Sequence, residues 1–107
     1  PQYPKTFEEC CTVLGLTELG IIGGYRRGLL TQFRNLLICR DAYWKMADDW
    51  KFNFEEKCYY LCNEYHEIQD FNGVCDCNAV LAFPTAEMRD AFYDNFEELI
   101  KECKSLL

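Results

Sequence analysis

Cys58, Cys62, Cys75 and Cys77 are the residues of this chain whose type and clustering come nearest to chemistry. Four thiolates around one tetrahedral zinc ion would staple two arms of a hairpin together. The outcome depends on local structure. On a helix, Cys58 and Cys62 share a face. On a strand their Cα atoms stand roughly 13 Å apart, too far for one ion whose bonds to sulfur are about 2.3 Å. Cys75 and Cys77 also have the spacing of a redox pair, but beside Asn72-Gly73 they lack the helix N-terminus that lowers a thiol pKa. The zinc site therefore stands as the alternative to ordinary buried or half-exposed thiols.

Other chemical groupings are thinner. His66 is the single histidine and Ser105 the single serine, and neither has a partner at a spacing typical of acid–base or nucleophilic catalysis. The sequence predicts no enzyme and no catalytic residue. Gly20-Ile21-Ile22-Gly23-Gly24-Tyr25-Arg26-Arg27-Gly28 exposes backbone amides beside two arginines, the ingredients of a phosphate cradle. It lacks the Lys-Ser/Thr ending and the preceding strand of a nucleotide-binding loop, so a plain helix connection competes with a nucleotide-type ligand site using Arg26 and Arg27. Arg40, Asp41, Tyr43, Trp44 and Trp50 combine aromatics with a charge pair, the composition of protein–protein hot spots. The competing reading packs Tyr43 and Trp44 in the core and leaves Arg40 and Asp41 outside, with Trp50 exposed.

These groups sit on a chain of 107 residues, which is one domain with room for a single core. Half the residues are hydrophobic and 16% are aromatic, too apolar for a disordered chain, while no run is long enough to span a membrane. The start, Pro1-Gln2-Tyr3-Pro4-Lys5, lacks the apolar core of a signal peptide. With 11 basic and 18 acidic residues the net charge is −7, which argues against nucleic acid as a partner. Eight cysteines invite a disulfide scaffold. Eight Phe, seven Tyr and strong helical patterning supply a core without staples, so reduced thiols in a cytoplasmic setting are expected.

The elements that position these residues follow from caps and periodicity. Thr6-Phe7-Glu8-Glu9 is a capping box and Gly15 a left-handed stop, which bound a short first helix. Helical patterning resumes from Leu29 to about Ala47, with Leu30, Phe33, Leu37 and Trp44 near one face. Strands are predicted near Lys57 to Asn63, His66 to Phe71 and Asn78 to Phe83, with Asn72-Gly73 as a tight turn after the second. Pro84-Thr85 then breaks the chain into a long amphipathic helix. Its Phe92, Phe96, Leu99, Cys103 and Leu106 form one stripe, while Glu87, Asp90, Asp94, Glu97, Glu98 and Glu102, interleaved with Arg89, Lys101 and Lys104, form the exterior. The fold class is α+β: two N-terminal helices, a three-stranded antiparallel meander and a long C-terminal helix packed on the sheet.

Three stretches carry a resemblance: Lys5-Thr6-Phe7-Glu8-Glu9-Cys10-Cys11, Leu36-Leu37-Ile38-Cys39-Arg40-Asp41-Ala42-Tyr43-Trp44-Lys45, and Leu81-Ala82-Phe83-Pro84-Thr85-Ala86-Glu87-Met88-Arg89-Asp90-Ala91-Phe92. Together they resemble small uncharacterised proteins carried by gut Bacteroidales genomes and their prophages or phages. The resemblance implies a phage or mobile-element origin and a bacterial cytoplasm; it implies no activity. Its weakest parts are residues 15 to 28 and 52 to 78. The expectation is a non-enzymatic accessory protein that binds a protein partner, with no cofactor. A meander leaves unpaired strand edges, which would fit a homodimer.

Overall fold

A computed structural model describes residues 2–16, 28–53, 55–74 and 79–107. The first helix, α1 (Phe7–Leu14), begins where the Thr6 hydroxyl accepts the Glu9 amide at 3.1 Å. That hydroxyl also donates to the Glu9 carboxylate, which meets the Thr6 side chain rather than its amide. Gly15 ends the helix at φ 73°, and the amide of Leu16 turns back to the carbonyl of Cys11.

Helix α2 (Leu29–Met46) packs against α1 and the C-terminal helix together. Its buried residues are therefore Leu36, Cys39, Ala42 and Tyr43; of the predicted face through Leu30, Phe33, Leu37 and Trp44, Phe33 and Trp44 pack against the core and Leu30 is corrected. Leu30 is exposed, and Phe33 and Leu37 are half-buried. After α2, Asp48 and Asp49 both take left-handed backbone (φ 56° and 58°), a conformation short polar side chains tolerate. This reversal lets the Trp50 amide bond the carbonyl of Trp44.

Strands β1 (Lys57–Glu64) and β2 (Glu67–Val74) form an antiparallel hairpin in which Glu64 opposes Glu67. Tyr65 and His66 make its two-residue turn at φ 55° and 66°, the geometry of a type I′ turn. Two expectations change here. His66 is in the turn, not on a strand, and Asn72-Gly73 is not a turn but the last part of β2, opposite Tyr59 and Cys58. Strand β3 (Leu81–Phe83) pairs with the other side of β1. The sheet is three-stranded and antiparallel as predicted, but its order is β2-β1-β3, which corrects the meander.

Helix α3 (Ala86–Glu102) starts on the hydroxyl of Thr85, which accepts the Met88 amide. It covers one face of the sheet. A kink at Phe96 (φ −126°, ψ 26°) brings Ile100 into the core beside Phe92, Phe96 and Cys103. Leu106 falls in a short 3-10 turn and is exposed, outside the predicted stripe. Tyr43 occupies the centre: it stacks on Tyr3 at 5.1 Å and meets Phe83, Phe92 and Phe96 edge-on. Its hydroxyl donates to the Pro4 carbonyl and accepts from Asn95. No described helix is long and apolar enough to cross a membrane.

Candidate interaction site

The grouping of Arg40, Asp41, Trp44 and Trp50 is real in space, and its members converge on the outer edge of β3. Arg40 donates to the Val80 carbonyl at 3.0 Å, and the indole N–H of Trp44 donates to the Ala82 carbonyl at 2.7 Å. The Arg40 guanidinium lies 4.0 Å from the centre of the Trp44 ring and grips Asp41 through two nitrogens. Trp50 meets Trp44 edge-on at 5.3 Å. Arg40 and Trp44 lie one turn apart on α2, which points both side chains at one strand. Strand edges invite pairing with other chains, and these two donors occupy the β3 acceptors that such pairing would use. Tyr43 belongs to the core and not to this cluster. Trp50 is half-buried rather than exposed.

The opposite edge of the sheet is different. The two-residue hairpin makes Glu64 and Glu67 a mutually hydrogen-bonded pair. Alternation then turns the backbone groups of Gln69, Phe71 and Gly73 toward β1 and those of Ile68, Asp70, Asn72 and Val74 outward. The same alternation on β1 sends the Asn63 amide away from β2, where it bonds the Leu107 carbonyl. Among the described residues, no backbone group pairs with the outward side of β2.

Beside this edge lies a cleft of about 280 Å³ lined by Leu61, Ile68, Asp70, Asp90, Tyr93 and Asp94. Arg89 underlies it. This arginine is the one charged residue buried among the described residues, and it corrects its predicted place on the helix exterior. It donates to Asp90 at 2.9 Å and to the Phe71 carbonyl at 2.9 Å, and lies 3.4 Å from Asp70. Asp70 and Asp90 remain largely exposed. The cleft thus presents solvated carboxylates over an apolar floor, held at a fixed distance from the strand by Arg89.

The thiols sit mostly in the core. Cys10, Cys39 and Cys103 are fully buried. The hydrogen bond with Cys10, together with burial, pushes the Cys39 thiol far above its ordinary value. Burial raises Cys11 and Cys103 as well. A raised pKa leaves little thiolate, the form that attacks or ligates. Cys58 and Cys62 stand four residues apart on strand β1, roughly 13 Å in extended chain, a separation too large for two sulfurs on one zinc. Their predicted co-ligands Cys75 and Cys77 lie outside the described residues, as do Arg26 and Arg27 of the predicted ligand loop. Among the described residues no group of three metal-ligating side chains converges. His66 is exposed at the hairpin tip, and Ser105 is exposed in the final turn.

The sequence signalled the Arg40–Trp44 cluster by composition. It anticipated unpaired strand edges but not which edge is open, and it missed Arg89, since neither periodicity nor residue type distinguishes a charge that folds inward. Comparison with protein-family models, with curated proteins and with solved structures finds no match.

Proposed function

We propose that this protein acts by binding another protein through the outer edge of β2 and performs no chemistry of its own. The observation that carries the reading is the asymmetry of the sheet. One edge has its outward carbonyls, Val80 and Ala82, occupied by Arg40 and Trp44, while the other offers four outward-facing residues with no backbone partner among the described residues. An extended segment can hydrogen-bond such an edge along its length, a recurrent mode of peptide recognition.

The biological setting in this reading is a small accessory protein of a phage or mobile element, working in the bacterial cytoplasm. The support is the resemblance carried by the three stretches around Cys10, Cys39 and Phe83, and core thiols that fit a reducing compartment. Asn72→Pro tests the reading. The ring replaces an outward amide, so it leaves the bonds to β1 in place. Partner capture from host lysate is expected with the wild-type protein and lost with the variant. Equal capture by both proteins would remove the edge from the account.

A further inference from the structure

We infer that the partner segment is basic: an extended peptide with Lys or Arg at alternate positions adds to β2 as a fourth strand. This rests on the proposed binding role of the β2 edge and names the chemistry of what binds there. Strand addition places every second side chain of the incoming segment on the α3 side of the sheet. There it meets Asp70 on β2 and Asp90 and Asp94 on the facing surface of α3. Glu67, an odd number of residues from Asp70, lies on the opposite face with Phe71 and takes no part in this surface.

The nearby cations offset this surface only in part, since one guanidinium faces two of its three carboxylates. Arg89 is buried and divided between Asp70, Asp90 and the Phe71 carbonyl. Lys57, opposite the far end of β2, lies over the Tyr59 ring, and Lys104 donates to the His66 carbonyl at the hairpin tip. No described cation faces Asp94 in an ion pair. The stems of incoming Lys or Arg residues can lie along Ile68 and Tyr93 while their heads reach the carboxylates. On the opposite face, alternate side chains meet Phe71, which stacks on Tyr60 at 5.4 Å. A segment alternating basic and apolar residues therefore matches both faces.

Charge separates this occupant from a second copy of the chain. Two β2 strands paired edge to edge would bring two clefts of like charge together, in a protein whose net charge is already −7. Like charges opposed across strands destabilise pairing.

The test uses the full chain and three synthetic octapeptides alternating valine with lysine, threonine or glutamate. The lysine peptide is expected to shift the amide resonances of Ile68, Asp70, Asn72 and Val74 and to slow their hydrogen exchange. Its affinity is expected to fall about tenfold between roughly 0.05 M and 0.5 M salt. Asp94→Asn is expected to weaken it about threefold with unchanged circular dichroism. Asn72→Pro is expected to abolish the shifts, with the retained dispersion of the remaining resonances reporting an intact fold. Equal or tighter binding of the threonine or glutamate peptide at the same amides would overturn the basic partner while leaving the edge as a binding surface. A dimer by sedimentation with those amides protected would do the same. No response at β2 to any of the three peptides would overturn both the inference and the proposed function of the edge.

Discussion

The indole nitrogen of Trp44 lies 2.7 Å from the carbonyl oxygen of Ala82, 38 residues further along the chain. A helix side chain thereby satisfies the outward carbonyl of a strand that has only three residues. Trp44→Phe keeps an aromatic ring for Arg40 to stack on but leaves the Ala82 carbonyl without its donor. The expected loss of stability is about 1–2 kcal/mol, the usual cost of orphaning a buried acceptor. Urea unfolding followed by far-ultraviolet circular dichroism checks it; an unchanged midpoint would mean that the bond contributes nothing.

Arg89 ties α3 to β2, so its removal should loosen the edge from its backing helix. Arg89→Met retains much of the apolar stem but loses the bond to the Phe71 carbonyl and both carboxylate contacts. Asp70 and Asp90 are exposed enough to rehydrate, which limits the loss to about 1–3 kcal/mol. Arg89→Lys is expected to recover less than half of it, because one ammonium cannot reproduce the planar fork of a guanidinium. Denaturant midpoints for the two variants check the ranking, and a fully stable Arg89→Met would contradict it.

The hairpin turn carries removable strain. Tyr65 and His66 hold left-handed backbone, which costs a non-glycine residue roughly 1–2 kcal/mol. Replacing the pair with Asn-Gly, the preferred residues of this turn, should stabilise the protein by about 1 kcal/mol or more. Tyr65 is 88% exposed, so little packing is lost. A rise in Tm supports the turn assignment; a fall would place the turn elsewhere.

Tyr43 sets an alkaline limit. Burial pushes its hydroxyl up to about 12, partly opposed by the hydrogen bond from Asn95. The fold therefore favours the neutral phenol, and the associated stability is fully present below the ordinary value of 10.0. It is lost as pH rises from there through about 12. Absorbance titration should show Tyr43 ionising late, with its stacked neighbour Tyr3 also raised by burial, together with loss of ellipticity. Ionisation of all seven tyrosines near the ordinary value, with the fold intact, would contradict the buried placement.

Helix ends were legible because their determinants are local. Thr6, Gly15 and Thr85 each act on residues within four positions, and each caps as its type predicts. The sheet was less so. Asn72-Gly73 has the better turn chemistry, but the register that puts Ile68 against the core and Phe71 against Tyr60 requires the chain to reverse at Tyr65-His66. A slip of one residue would exchange those faces. The order β2-β1-β3 depends on which side of β1 receives β3, and no local pattern encodes that choice. Arg40 and Trp44 were recognisable as a group, yet their acceptors, Val80 and Ala82, lie 40 and 38 residues away. Arg89 was misplaced because helical periodicity assigns every charge to the exterior, whereas this one finds two acceptors on β2, Asp70 and the Phe71 carbonyl, besides its helix neighbour Asp90.

The proposed binding role requires the outward side of β2 to be open in the isolated protein. Residue-resolved amide hydrogen exchange addresses this directly. The amides of Gln69, Phe71 and Gly73 should exchange at least about a hundredfold more slowly than those of Ile68, Asp70, Asn72 and Val74. Comparable protection of both sets would mean that the edge is already covered, and the binding role assigned to it would fail.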